Sequence, residues 1–288
     1  MELWLFYAIG AAVCAALTTV LAKLGLSRVD SHLATAVKTV VVLVFVWGMV
    51  FFMGSYREIG QVSGRTWVFL MLSGLSTGGS WLCSFRALKL GTVSNVMPID
   101  KSSTILTVLL AIILLNEPFG LTTVLGLLLM GLGTWLMLER DKKPQEQSQR
   151  GWLFFAVLAA VFASMTAIFG RIGIQDINSN LGVAIRTLPV LPLSVLMVFL
   201  VGSQKEIRRV DGKSWVFLLL SSLATGGSWL FFYRALQLGN ASFVVPIDRL
   251  SILLTIGFAR LFLGERLSGK RLAGLVLLTA GTLLPIVL

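Results

Sequence analysis

Apolar residues fill this chain in runs of about 20, separated by short polar stretches. Each run is long enough to cross a hydrocarbon layer of roughly 30 Å. In the first half the runs fall near 3–24, 33–54, 66–88, 92–115 and 119–138; in the second, near 152–171, 181–201, 214–236, 240–263 and 268–287. Between the halves lies "ERDKKPQEQSQR", which has no apolar periodicity. A backbone inside lipid must satisfy its own hydrogen bonds, and continuous runs of this length do so as α-helices. The pattern predicts an all-α polytopic membrane protein with ten transmembrane helices. Residues 1–139 form one five-helix unit, 140–151 a linker and 152–288 a second five-helix unit.

The two units are copies. The stretch "NVMPIDKSS" (Asn95–Ser103) returns as "FVVPIDRLS" (Phe243–Ser251), and Asp248 minus Asp100 gives an offset of 148. The same offset matches Lys38 with Arg186, "TGGSWL" at Thr77 with "TGGSWL" at Thr225, and Glu117 with Glu265. Between Gly64 and Lys101 about two-thirds of the positions are identical, with no gap. Such an internal repeat outweighs any single motif. Five crossings is an odd number, so the second copy enters the membrane from the opposite side. The units should therefore be inverted repeats around a central cavity, an architecture common among secondary transporters.

Charge sets the expected orientation, because Lys and Arg concentrate in cytoplasmic loops. With the linker cytoplasmic, alternate loops hold about 15 basic residues on that side against 4 on the other. Both termini are then expected on the periplasmic or extracellular face of a bacterial inner membrane. Equivalent loops diverge as inversion demands: "NEPFG" has no Lys or Arg, whereas "GERLSGKR" carries Arg266, Lys270 and Arg271.

Against this background the polar residues inside the spans stand out. Pro98 and Pro246 should bend or break the fourth and ninth spans, since proline lacks a donor and crowds the preceding turn. Asp100 and Asp248 follow two residues later, and a carboxylate at that depth must face the protein interior. Lys38 and Arg186 enter from the same membrane faces as those aspartates. At 1.5 Å per residue, Lys38 lies roughly 8 Å deep and Asp100 roughly 12 Å. Two pairs are expected, Lys38–Asp100 and Arg186–Asp248, either as polar layers flanking the cavity or as locks between helices. Lys101 and Arg249 either bind an anionic substrate or reach the headgroups. In "TGGSWL", the glycines with Ser80 and Ser228 permit close backbone approach or leave room for a ligand. Trp81 and Trp229 fall mid-span, away from the interfacial belt, and either line a cavity or pack in the core. Glycines seven apart, Gly126 with Gly133 and Gly274 with Gly281, favour helix contact.

Composition narrows the function. The chain of 288 residues is 56% hydrophobic and 13% charged, too apolar to cover a soluble domain. Its net charge of +11 is spread over short loops rather than gathered in a basic domain, which argues against nucleic acid. One histidine and two cysteines at positions 14 and 83 offer neither a metal set nor a catalytic cluster. No metal, cofactor or enzyme activity is expected.

The two five-helix repeats, the "PIDK" and "PIDR" pair, "GGSWL" followed by "RAL", and the "NEP" and "GER" turns together resemble the EamA-type branch of the drug/metabolite transporter superfamily. The resemblance covers nearly the whole chain. It implies a basket-like fold in which the third, fourth, eighth and ninth helices, with the first and sixth, surround a cavity, while the last helix of each half packs at the back. It also implies movement of a small metabolite, amino-acid-like or otherwise polar or amphipathic, commonly outward. Many ten-helix relatives keep their termini cytoplasmic, opposite to the charge count here. The expected mode is alternating access by a monomer in contact with lipid, with protons as a candidate coupling ion through Asp100 or Asp248. Two other readings remain open: a carrier of multidrug or lipid-linked substrates, and a fused or reconstructed five-helix dimer without robust transport.

Overall fold

The computed structural model describes residues 3–25, 31–90, 96, 99, 102–137, 151–251, 253, 254 and 269–287. Regular structure there is entirely helical. The first half supplies α1 (Leu3–Gly25), α2 (Ser31–Phe52), α3 (Gly64–Leu90), α4 (Ser103–Leu115) and α5 (Leu121–Met137). The second supplies α6 (Trp152–Gly173), α7 (Ser179–Thr187), α8 (Val190–Val201), α9 (Gly212–Leu238), α10 (Ala241–Arg249) and α11 (Gly269–Val287). Short 3₁₀ helices follow α2 and α8 at equivalent positions, Ser55–Gln61 and Ser203–Arg209. Each is entered through a left-handed glycine, Gly54 at φ 74° and Gly202 at φ 83°, a conformation a side chain would strain.

The chain is an all-α, multi-pass membrane protein of two repeats. Among the described residues, five segments are long and apolar enough to cross a membrane: Leu3–Ala22, His32–Phe52, Trp152–Gly173, Ser179–Val201 and Gly212–Leu238. Shorter apolar helices lie at Ser103–Leu115, Leu121–Leu136 and Leu272–Pro285. Large apolar side chains such as Phe52, Ile113, Leu121 and Trp135 point outward, as lipid-facing residues do. Inside, Val42, Val46, Leu70, Ile174, Leu181, Ile185 and Tyr233 form one buried cluster drawn from both halves.

Prolines shape the helices differently from the sequence expectation. The run expected as one span at 181–201 is divided into α7 and α8 at Leu188–Pro189. Pro189 has no N–H to give to Ile185 and crowds that carbonyl; the Leu188 amide bonds to it instead at 3.2 Å. The equivalent residue in α2 is Val41, and α2 runs unbroken. Pro246 sits within α10, and the helix continues past it to Arg249. Its interruption falls at Leu250, where the amide bonds to Ile247 at 2.9 Å. The ring of Pro246 crowds the carbonyl of Ser242, the second residue of α10, where the first turn is still free to adjust. Pro98 lies outside the described residues, as does the linker apart from Gly151.

Among the described residues, the most extensive packing between the halves joins α1 with α9, α3 with α6, and α5 with α11. Hydroxyl contacts there come in matched sets. Ser228 donates to the Ala11 carbonyl and Ser80 to the Ala159 carbonyl, each at 3.0 Å. Ser221 donates to the Thr18 carbonyl at 2.9 Å, and Ser73 to the Thr166 carbonyl at 2.8 Å. Thr18 meets Thr225 at 3.1 Å, and Thr77 meets Thr166 at 3.4 Å. Adding 148 to one residue of each bridge yields its counterpart. Along α1 the partners on α9 run from Ser228 back to Ser221, so these helices are antiparallel. Two halves inserted the same way up would place them parallel. Reciprocal antiparallel packing is what inversion produces.

Two glycines on α5 make its contact with α11 possible. A Cβ added at Gly126 would lie 2.7 Å from the Gly281 carbonyl oxygen, and one at Gly133 2.6 Å from that of Gly274. The helix-contact role expected of these four glycines is seen directly, with the last helix of each half packed on the other.

Candidate functional site

Between the halves lies a cavity of about 600 Å³. Thr18 of α1, Lys38 of α2, Thr77, Ser80 and Trp81 of α3, and Thr107 of α4 line it from the first half. Thr166 of α6, Arg186 of α7, Ser228, Trp229 and Tyr233 of α9, and Asp248 and Arg249 of α10 line it from the second. Lys38, Ser80, Trp81, Arg186, Ser228, Trp229, Asp248 and Arg249, all singled out in the sequence, thus share one wall. Pro246 is buried in α10 behind that wall. Asp100 and Lys101 lie outside the described residues, so the Lys38–Asp100 pair does too.

Arg186 is the most enclosed charge of the site, at 3% exposure. Its Nη2 donates to Thr77 Oγ1 at 2.8 Å and its Nε to Ser73 Oγ at 3.4 Å. The guanidinium lies 4.8 Å from the ring of Trp229 and 4.7 Å from that of Tyr233, both distances at which a cation is attracted to an aromatic face. The Tyr233 hydroxyl in turn meets Ser73 Oγ at 3.1 Å. The expected Arg186–Asp248 ion pair does not form. Ser73 and Thr77 lie one turn apart on α3, and Trp229 and Tyr233 one turn apart on α9. Between them they form a slot that draws the guanidinium away from α10. Asp248 and Arg249 are consecutive at the end of α10 and both reach the cavity lining.

Ser80 and Ser228 spend their protons on the Ala159 and Ala11 carbonyls, so they fasten helices at the cavity lining. Trp81 and Trp229 belong to the lining, and Trp229 also packs against the buried cluster around Tyr233.

A second polar cluster lies at the turn from α9 to α10. Asn116 ends α4 in the left-handed conformation, φ 52°; Asn tolerates that geometry and the following Pro118 prevents continuation of the helix. Between them Glu117 is aimed across the repeat boundary. Its carboxylate accepts the amides of Ala241 and Ser242, both at 2.7 Å, and so caps α10. A carboxylate there satisfies orphan amides and complements the positive end of the helix. Arg171 donates to the Leu236 carbonyl. Gln237 donates to the carbonyls of Ile174 and Ile177 at 2.8 and 2.6 Å. Nearby, the amide of Asn178 donates to Glu58 at 3.3 Å.

Ser73, Thr77, Tyr233 and the capping role of Glu117 were not foreseen from the sequence. The signal for Glu117 was present in Asn–Glu–Pro, a left-handed stop followed by an acid. For the Arg186 slot the only signal was the spacing of Ser73 with Thr77 and of Trp229 with Tyr233, each pair four apart on one helix face.

Inverted halves that jointly enclose a polar cavity, within a shell of lipid-facing side chains, define a membrane transporter rather than an enzyme. The chain belongs to the EamA-like transporter family, whose profile matches residues 2–139 and again residues 150–287. It is 42% identical over 135 residues to an uncharacterized transporter from the cobO 3' region of Sinorhizobium sp; the match spans 96% of that protein but 47% of this chain. An uncharacterized protein of Methanocaldococcus jannaschii is 25% identical over 132 residues, spanning 93% of its own length and 46% of this chain. Each of these relatives therefore corresponds to about half of the present sequence. A solved crystal structure shares the fold over 96% of this chain and 94% of its own, with a TM-score of 0.78 and 19% identity.

Proposed function

We propose that this protein is a secondary transporter with ten membrane crossings that moves a small metabolite outward by alternating access. The observation that carries this reading is the convergence of equivalent polar residues from both halves, Lys38 with Arg186 and Trp81 with Trp229, on one cavity. Inverted halves can exchange conformations, so that the cavity opens to one face and then to the other. The substrate is amino-acid-like or another small polar or amphipathic compound, in keeping with a lining of hydroxyls, charges and indoles. Asp248 is the candidate proton carrier in the described part of the site, with Asp100 its counterpart. The carrier acts as a monomer in a bacterial inner membrane, with residues 140–151 cytoplasmic and both termini on the opposite face.

Counterflow in proteoliposomes tests transport: exchange of a radiolabelled metabolite above protein-free vesicles supports the carrier, and its absence across a broad metabolite panel counts against it. Cysteines placed singly at residues 1 and 144 should label from opposite faces; labelling from the same face sinks the five-crossing repeat.

A second reading is favoured by the half-length relatives. On that reading the chain is two five-helix subunits of a dimer joined in one polypeptide, assembled but without robust transport. The same counterflow experiment separates it from a working carrier.

A further inference from the structure

We infer that the transported compound is an organic anion whose carboxylate, or a group of the same geometry, docks on Arg186. This rests on the carrier reading above and specifies its substrate class.

The cavity wall carries three cations, Lys38, Arg186 and Arg249, and one acid, Asp248, among the described residues. Counted as ionised, that one acid balances one of the three cations and leaves two in excess. Arg186 has no acidic partner among the described residues. A buried guanidinium is strongly favoured by an anionic partner. Among the described residues, this one is contacted by neutral oxygens and ring faces.

Its donors are also arranged for such a partner. A guanidinium has five N–H groups. Thr77 and Ser73 take two, one on Nη2 and one on Nε, and Nη1 makes no bond among the described residues. Nη1 and the second N–H of Nη2 form the outer edge of the fork, the geometry that receives two carboxylate oxygens in parallel. The slot of Ser73, Thr77, Trp229 and Tyr233 holds the guanidinium in place beforehand, so binding need not order a long side chain. Trp81, Trp229 and Phe232 in the same lining offer an apolar surface to the rest of the molecule. Arg249 adds a further donor: its Nε is buried without a hydrogen-bond partner among the described residues.

Three probes with one phenyl group and different charge separate the possibilities: phenylpropanoate as anion, phenylalanine as zwitterion and phenethylamine as cation. Binding to the purified full chain is measured by the rise in melting temperature across a concentration series. Phenylpropanoate should bind about tenfold or more tighter than phenylalanine, and phenethylamine weakest. Arg186→Gln should erase the preference for the anion; Arg186→Lys should weaken binding but preserve the order. If Arg186→Gln does not fold, the wild-type order and Arg186→Lys decide. Equal or tighter binding of the zwitterion or cation, or no binding by any probe, overturns the inference. Counterflow with the same probes keeps the two readings apart. A protein that exchanges phenylalanine but neither binds nor exchanges the anion is a carrier without this anion site. One that binds the anion through Arg186 but exchanges none of the three probes has the site without the carrier activity.

Discussion

Replacing Glu117 by glutamine removes one charge and leaves the shape of the side chain intact. In the native protein two short bonds of 2.7 Å run from the amides of Ala241 and Ser242 to its two oxygens. Bonds to an ionised group contribute about 1.5–3 kcal/mol each. Glutamine retains one acceptor, and its NH₂ would face an amide N–H. The second bond is therefore lost, together with the attraction between a negative charge and the start of α10, about 0.3–1 kcal/mol. The sum is about 2–4 kcal/mol. For a chain of this length, roughly 2 cal/mol/K per residue of unfolding entropy converts that into a fall of about 3–7 °C in melting temperature. Differential scanning fluorimetry in detergent at a fixed scan rate measures it. Glu58→Gln is the control: Glu58 receives one longer bond, 3.3 Å from the Asn178 amide, so its variant should lose less than about 1 kcal/mol. A Glu117→Gln protein that melts within 1 °C of wild type, or no lower than Glu58→Gln, would refute the idea that this carboxylate holds the two repeats together at the α9–α10 turn.

Other consequences can be tested alongside it. Gly133→Ala should destabilise by about 1–3 kcal/mol, because the new methyl would lie 2.6 Å from backbone atoms of Gly274 and Leu278. Gly131→Ala, which meets only the end of Ile105 at 3.4 Å, should be near neutral in the same melting assay; equal losses would disprove the close α5–α11 contact. Tyr233→Phe restores the residue type found at the equivalent position 85. It should cost about 0.5–1.5 kcal/mol for the lost bond to Ser73 while leaving phenylpropanoate affinity within about threefold, since the ring face toward Arg186 remains. Co-expression of residues 1–143 and 144–288 as separate chains should give a complex that copurifies on a single tag, because α1–α9, α3–α6 and α5–α11 all join the halves; recovery of the tagged half alone would argue against that assembly.

The repeat and its helices were readable because hydrophobic run length and the offset of 148 are properties of the chain itself. So was the convergence of Lys38, Arg186 and Asp248 on one cavity, since equivalent residues of inverted halves approach the same centre; for the tryptophans the sequence left lining and core packing both open. Pro189 was not recognised, because it lies inside an apolar run whose composition still satisfies a membrane span. The choice of partner for Arg186 was also hidden. Charge matching in the sequence suggests Asp248, whereas hydroxyls such as Thr77, which also bonds to its own i−4 carbonyl at 3.0 Å, leave no periodic trace. Nor could helix capping between distant segments be read for Glu117, which is 124 residues from Ala241.

The matched bridges give the molecule a built-in experimental control. Ser80→Ala and Ser228→Ala delete the same group from the same carbonyl contact, once in each orientation. Whatever the two variants share reports chemistry, and whatever differs reports which way up that chemistry sits. Comparing such twins in one polypeptide would measure the influence of gradients and unequal leaflets without changing vesicle, lipid or partner.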